Sequence, residues 1–209
     1  MLLFKKYGIS VYAGSLPATD SEKGPGRALA EKTAVKLLLR EAFPHQPQLQ
    51  ICHTPSGAPY LSNGASSAVA PQAFESTGLA PELPVISISH CKEMAVLAVA
   101  PYGCRIGIDC ETPDRPAILE RVAPRFLSSG QMDVWGVFPA ALWAWTIKEA
   151  LYKAALRPGL PLDSIPLPLE IPLDNATDDG VVELHGHTYN IVQIDAAPFQ
   201  AVVMLALNL

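Results

Sequence analysis

A β-branched and aromatic stretch from Leu2 to Ala13 predicts an opening strand. The pattern then changes period. From Arg27 to Phe43 the spacing is helical, with Glu31, Val35, Leu38 and Ala42 along one line and Pro44 as a stop. Short apolar runs at Leu49 to His53, Val85 to Ser89, Met94 to Ala100 and Arg105 to Glu111 have the length of strands. A Ser/Ala/Gly/Pro stretch between Leu61 and Val85 predicts a long surface loop.

The second half repeats the mixture. Pro116 stands where a helix starts, and Pro124 ends or kinks it. Ser128 and Gln131 have capping-box spacing for another helix. Pro139 opens the strongest helix, Ala140 to Leu156, which Arg157-Pro158-Gly159 closes. A Pro-rich connection then leads to strands near Val181 to Leu184, Thr188 to Ile194 and Gln200 to Leu207. Each half thus offers a helix and several short strands of antiparallel type. This predicts an α+β fold of two similar subdomains, 1–103 and 104–209, in pseudo-twofold relation, each a small mainly antiparallel sheet packed with helix.

Composition narrows the class. The 209 residues are 49% hydrophobic, enough to bury a core and to exclude disorder as the dominant state. A net charge of -5, from 15 basic and 20 acidic residues, argues against a nucleic-acid partner, which needs a basic footprint. No apolar run approaches the ~20 residues that span a bilayer, and no apolar leader follows the basic start, so no membrane association is expected. The four cysteines form no CxxC pair, which predicts reduced thiols in a cytoplasmic protein. His185-Gly186-His187 lacks the further ligands that a metal site needs.

Three segments carry candidate chemistry. In Arg105-Ile106-Gly107-Ile108-Asp109-Cys110-Glu111, strand alternation puts Ile106, Ile108 and Cys110 on one face and Gly107, Asp109 and Glu111 on the other. Carboxylates at i and i+2 stand about 7 Å apart, close enough to share a cation. Gly107 beside them predicts room for a ligand to approach the backbone. By itself, a D-x-E strand is common and ordinarily reads as a solvated, structural feature. On the Ala140 to Leu156 helix, Glu149 and Lys153 are i,i+4 neighbours, ordinarily a surface ion pair. Here Trp143, Trp145 and Tyr152 bracket them on a strongly apolar helix. Ser89-His90 ends a strand, where a hydroxyl and an imidazole suit a phosphate, although a structural histidine is the ordinary reading.

In this order, Ser89-His90, Gly107-Ile108-Asp109-Cys110-Glu111 and Trp145-Thr146-Ile147-Lys148-Glu149-Ala150-Leu151-Tyr152-Lys153 resemble the Sfp-type 4'-phosphopantetheinyl transferases. That family's hallmarks are a GxDxE strand and a W-[ST]-x-K-E-x-x-x-K helix. Gly57-Ala58-Pro59 resembles its G-K-P turn, Arg125-Phe126-Leu127-Ser128 its R-F-F/L-S segment, and Gly159 to Ile165 the stretch after its signature helix.

The resemblance implies transfer of the phosphopantetheine arm of coenzyme A to a serine of an apo acyl or peptidyl carrier protein, with release of adenosine 3',5'-bisphosphate. It implies Mg2+ held by Asp109, Glu111 and Glu149, with Glu149 also helping to deprotonate the serine. Lys153 is implied on the pyrophosphate, and Ser89 and His90 on the nucleotide phosphates. Lys32, Lys36 and Arg40, at i, i+4 and i+8, form a cationic stripe that suits coenzyme A as well as it suits a solvated helix face. A site at the junction of two halves needs only a monomer.

Three departures stand out: Ala58 replaces the G-K-P lysine, Gln131 replaces an acidic residue, and the loop from Ser62 to Pro84 is long. They motivate a second reading, a catalytically silent family member that binds coenzyme A or a carrier protein. A different metal-dependent phosphotransferase is a third, but no GxxxxGK[ST] phosphate loop is present.

Overall fold

The stretch expected as one opening strand is a hairpin. Strands β1 (Leu2–Lys6) and β2 (Ile9–Ser15) pair antiparallel, with Lys6 opposite Ile9. The two residues between them, Tyr7 at φ 55° and Gly8 at φ 76°, form the left-handed turn that matches strand twist. Asn-Gly announces such turns in a sequence; Tyr-Gly does not. In the computed structural model, residues 1–17, 24–64, 83–114, 116–168 and 180–208 are described. Most of the expected 61–85 loop and the end of the Pro-rich connection lie outside them.

Helix α1 (Pro25–Ala42) follows, then a small hairpin of β3 (Gln50–His53) and β4 (Pro59–Ser62). Strands β5 (Val85–His90), β6 (Met94–Ala100) and β7 (Arg105–Glu111) lie where their apolar patterns placed them. Next come the short helices α2 (Pro116–Val122) and α3 (Ser129–Trp135), then α4 (Ala140–Ala155). Strands β8 (Gly180–Leu184), β9 (His187–Ile194) and β10 (Val202–Asn208) complete the order. His185 and Gly186, at φ 52° and 77°, make a second left-handed hairpin turn, so the His-Gly-His sequence serves chain reversal.

Two antiparallel four-stranded sheets result, ordered β1-β2-β6-β5 and β7-β10-β9-β8, so the chain is α+β. The first uses strands from residues 2–100 and the second strands from 105–208. Both share one connection: the strand before the main helix pairs with the last strand of its own half, β2 with β6 and β7 with β10.

Alternation within the strands sorts the core into three layers. Val11, Met94, Val96 and Ala98 meet Ile106, Ile108, Val203 and Leu205 between the sheets. Ala95 and Leu97, facing the other way, pack under Leu38 and Leu39 of α1. Met204 and Ala206 pack under Ile147, Leu151 and Ala154 of α4. Both sheets are therefore apolar on both faces, which explains why β6 and β10 read as unbroken apolar runs.

Candidate functional site

The site begins with a missing side chain. A Cβ on Gly107 would lie 1.9 Å from the Ala150 carbonyl oxygen and 2.6 Å from the Ala154 amide nitrogen. The α4 backbone thus rests directly on β7, an approach open only to glycine. Gly107 makes room for a helix, which corrects the expectation that it opens the strand to a ligand.

This contact brings short side chains within reach of one another. Gly107, Asp109 and Glu111 share a face of β7, and Lys153 of α4 reaches across to it. Its ammonium donates to Asp109 Oδ1 at 2.8 Å and to the Ile108 carbonyl at 3.0 Å. Ser89 Oγ, from the end of β5, donates to the same Oδ1 at 2.7 Å. Asp109 is only 5% exposed, and among the described residues its Oδ2 is buried with no hydrogen-bond partner. One carboxylate therefore joins β5, β7 and α4 and keeps an oxygen unused.

Glu111 and Glu149 complete an acidic group. Burial, and then the charge of Asp109, push the Glu111 carboxyl up to about 7. The same two causes, in the same order, raise Glu149, while Lys153 partly offsets them. Trp145 Nε1 donates to Glu111 Oε1 at 3.0 Å, and Phe126 meets the Trp145 ring edge-on at 5.1 Å, so the buried phenyl fixes the indole that fixes the acid. Mutual repulsion in a half-buried setting is relieved by a cation.

Magnesium is held by one or two protein carboxylates plus water and substrate oxygens. The free Asp109 Oδ2 and the cleft-facing Glu111 fit that demand. Among the described residues, no three His, Cys, Asp or Glu side chains converge closely enough to hold an ion by themselves.

Glu111 opens onto a cleft of about 420 Å³ between the two halves. Arg27 and Glu31 of α1 form part of its wall, with His90 at the end of β5 and Cys91 and Lys92 just after it. Ile118, Leu119 and Val122 of α2 give it an apolar side. Glu31 Oε1 accepts from Arg27 Nε at 2.7 Å and stands 3.3 Å from His90 Nδ1, so one acid orients both basic groups. Arg27 also donates to the carbonyls of Cys91 and Lys92, tying α1 to the turn after β5.

Asp109, Glu111, Glu149, Lys153 and Ser89 are thus brought together, with His90 on the adjoining cleft. Ser89 is turned inward, its hydroxyl given to Asp109. Lys32, Lys36 and Arg40 are exposed on α1, and none of them lines the cleft; the residues that α1 supplies are Arg27 and Glu31. Their i,i+4 spacing of opposite charges was visible in the sequence.

Ala58 sits in the tight turn between β3 and β4, where its amide donates to Thr54 Oγ1 at 3.0 Å. Gln131 caps α3 by accepting from the Ser128 amide at 3.1 Å, and its Nε2 donates to the Ile165 carbonyl at 3.2 Å, which a carboxylate cannot do. Lys148, fully buried, donates to the carbonyls of Leu162 and Ile165, fastening the segment after α4. Burial lowers its pKa to about 8. Its burial was readable from the line Ala144, Lys148, Leu151 and Ala155, one face of a helix that is otherwise apolar.

No protein-family model matches this chain, and no curated protein matches it. None of the helices among the described residues is long and apolar enough to cross a membrane.

Proposed function

We propose that the protein transfers the 4'-phosphopantetheine arm of coenzyme A to a serine of an apo carrier protein. The observation that carries this reading is the gathering of Asp109, Glu111, Glu149 and Lys153 beside a cleft whose wall includes His90 and Arg27. Attack of a hydroxyl on a pyrophosphate requires a proton acceptor, positive charge along the phosphates and a fixed line of approach.

Each need has a residue. Glu149, raised by burial and by the charge of Asp109, holds a proton more readily than an ordinary carboxylate and is the candidate base. Lys153 spends two hydrogens on Asp109 and Ile108 and has a third for a phosphate oxygen. Asp109 Oδ2 and Glu111 would hold Mg2+, whose charge, when bound, offsets that of the pyrophosphate. His90, oriented by Glu31, faces the cleft for a nucleotide phosphate.

The test is direct. The protein is incubated with coenzyme A, magnesium and a set of apo acyl and peptidyl carrier proteins, and each carrier is weighed by mass spectrometry. A gain of one phosphopantetheine on a carrier is the expected result. Unmodified carriers throughout would overturn the reading, and coenzyme A binding without transfer would favour the catalytically silent one.

A further inference from the structure

Strands β5 and β7 lie side by side where the two halves meet. Ser87 Oγ accepts from the Ile108 amide at 3.0 Å, and Ser89 Oγ donates to Asp109 Oδ1 at 2.7 Å. These contacts advance along both strands in the same direction. Two positions past Ser89, just beyond the end of β5, comes Cys91, and one position past Asp109 on β7 comes Cys110. The two thiols are close enough to interact directly. Both side chains belong to the apolar layer between the sheets, and neither is in a disulfide. Their access differs. Cys91 lines the cleft, whereas Cys110 is 1% exposed and lies behind it.

We propose that Cys91 and Cys110 form a reversible disulfide that fastens the two halves beside the Asp109 carboxylate. The oxidant is a small disulfide of the glutathione class, entering by the cleft. The Cys91 sulfur, as thiolate, attacks one sulfur of that molecule; an S–S bond forms to Cys91, and one glutathione leaves as thiolate. The Cys110 thiol, after giving up its proton, then attacks the Cys91 sulfur and expels the second glutathione thiolate. Two protein thiols are oxidised and one small disulfide is reduced to two thiols. The bond closes a loop made of β6, the turn before β7 and most of β7. It also holds Ser89 and Asp109, the neighbours of the two cysteines, in fixed relation. Cys52 and Cys104, both half-buried, take no part.

The experiment treats the whole folded protein with oxidised glutathione, alkylates the remaining thiols after denaturation, and maps the peptides by mass. The wild type is expected to lose two hydrogens and to yield a Cys91–Cys110 linked peptide, with Cys52 and Cys104 alkylated. Dithiothreitol should restore four alkylatable cysteines. C110S should stop at the first step and carry one glutathione on Cys91, and C110A serves as a second such variant. Should Cys91 and Cys110 remain alkylatable in the treated wild type, the proposal fails. It fails equally if Cys91 pairs with Cys104, or if a folded C110S or C110A takes up no glutathione at Cys91. The wild-type map decides the bond whatever the behaviour of the variants.

Discussion

The two halves solve the same packing problem at different distances. In each, a glycine sits on the strand that precedes the main helix: Gly14 on β2 and Gly107 on β7. A Cβ on Gly14 would meet the tip of the Leu38 side chain at 3.3 Å, so α1 stands off its sheet by a side chain. A Cβ on Gly107 would meet helix backbone at 1.9 Å. The charged residues follow suit. Lys32, Lys36 and Arg40 of α1 point to solvent, while Glu149 and Lys153 of α4 are half-buried against the acids of β7. Backbone-close packing is what turns an ordinary i,i+4 pair into a cluster with raised carboxyl pKa values.

Gly107→Ala should give the largest effect. Overpacking against backbone cannot be relieved by a rotamer, so a loss of about 3 kcal/mol or more is expected in urea unfolding. Gly14→Ala should stay within about 1 kcal/mol of wild type, because a flexible side-chain tip yields and the unfolded chain loses freedom. Equal losses in the two variants would break the comparison.

The helices should differ in activity as they do in packing. Glu149→Gln and Asp109→Ala should each lower carrier modification by about 100-fold or more while the protein stays folded by circular dichroism. Replacing Lys32, Lys36 and Arg40 together by Ala should change turnover by less than about threefold and stability by about 0.5 kcal/mol at most. A collapse of activity in that triple variant would return the stripe to the site.

Two smaller effects follow pH. Glu111, raised to about 7, must shed its proton to hold a cation. Stabilisation by magnesium in a thermal melt should therefore be larger at pH 8 than at pH 6, and Glu111→Gln should remove most of that difference. Lys148 runs the other way in charge. Its folded value of about 8 lies below the ordinary 10.5, so from 8 to 10.5 the unfolded chain binds more protons. Stability should rise with pH across that window, and the rise should be smaller in Lys148→Met by urea titration.

Local pattern carried much of this fold. The helices at Pro25–Ala42 and Ala140–Ala155, and strands β6 and β7, lie within a residue or two of their expected limits, because buried strands and proline-bounded helices announce themselves locally. The turn at Tyr7-Gly8 and the strand at Pro59–Ser62 were not legible, since each depends on a pairing partner more than on its own residues. At the site, the spacing of Asp109, Glu111, Glu149 and Lys153 was readable. That Asp109 binds Ser89, that Trp145 anchors Glu111, and that a helix fills the space over Gly107 are contacts between distant segments, which spacing does not encode.

The layer between the sheets has one more consequence. Among the described residues, Val11, Met94 and Val96 share one buried layer with Ile108, Val203 and Leu205, so each half completes the interior of the other. A chain cut in the turn at 101–104 would give two fragments with sticky faces, each lacking a fold until it found the other. Melting of the intact protein should accordingly be a single event, in which the cleft and its carboxylates are lost together with everything else.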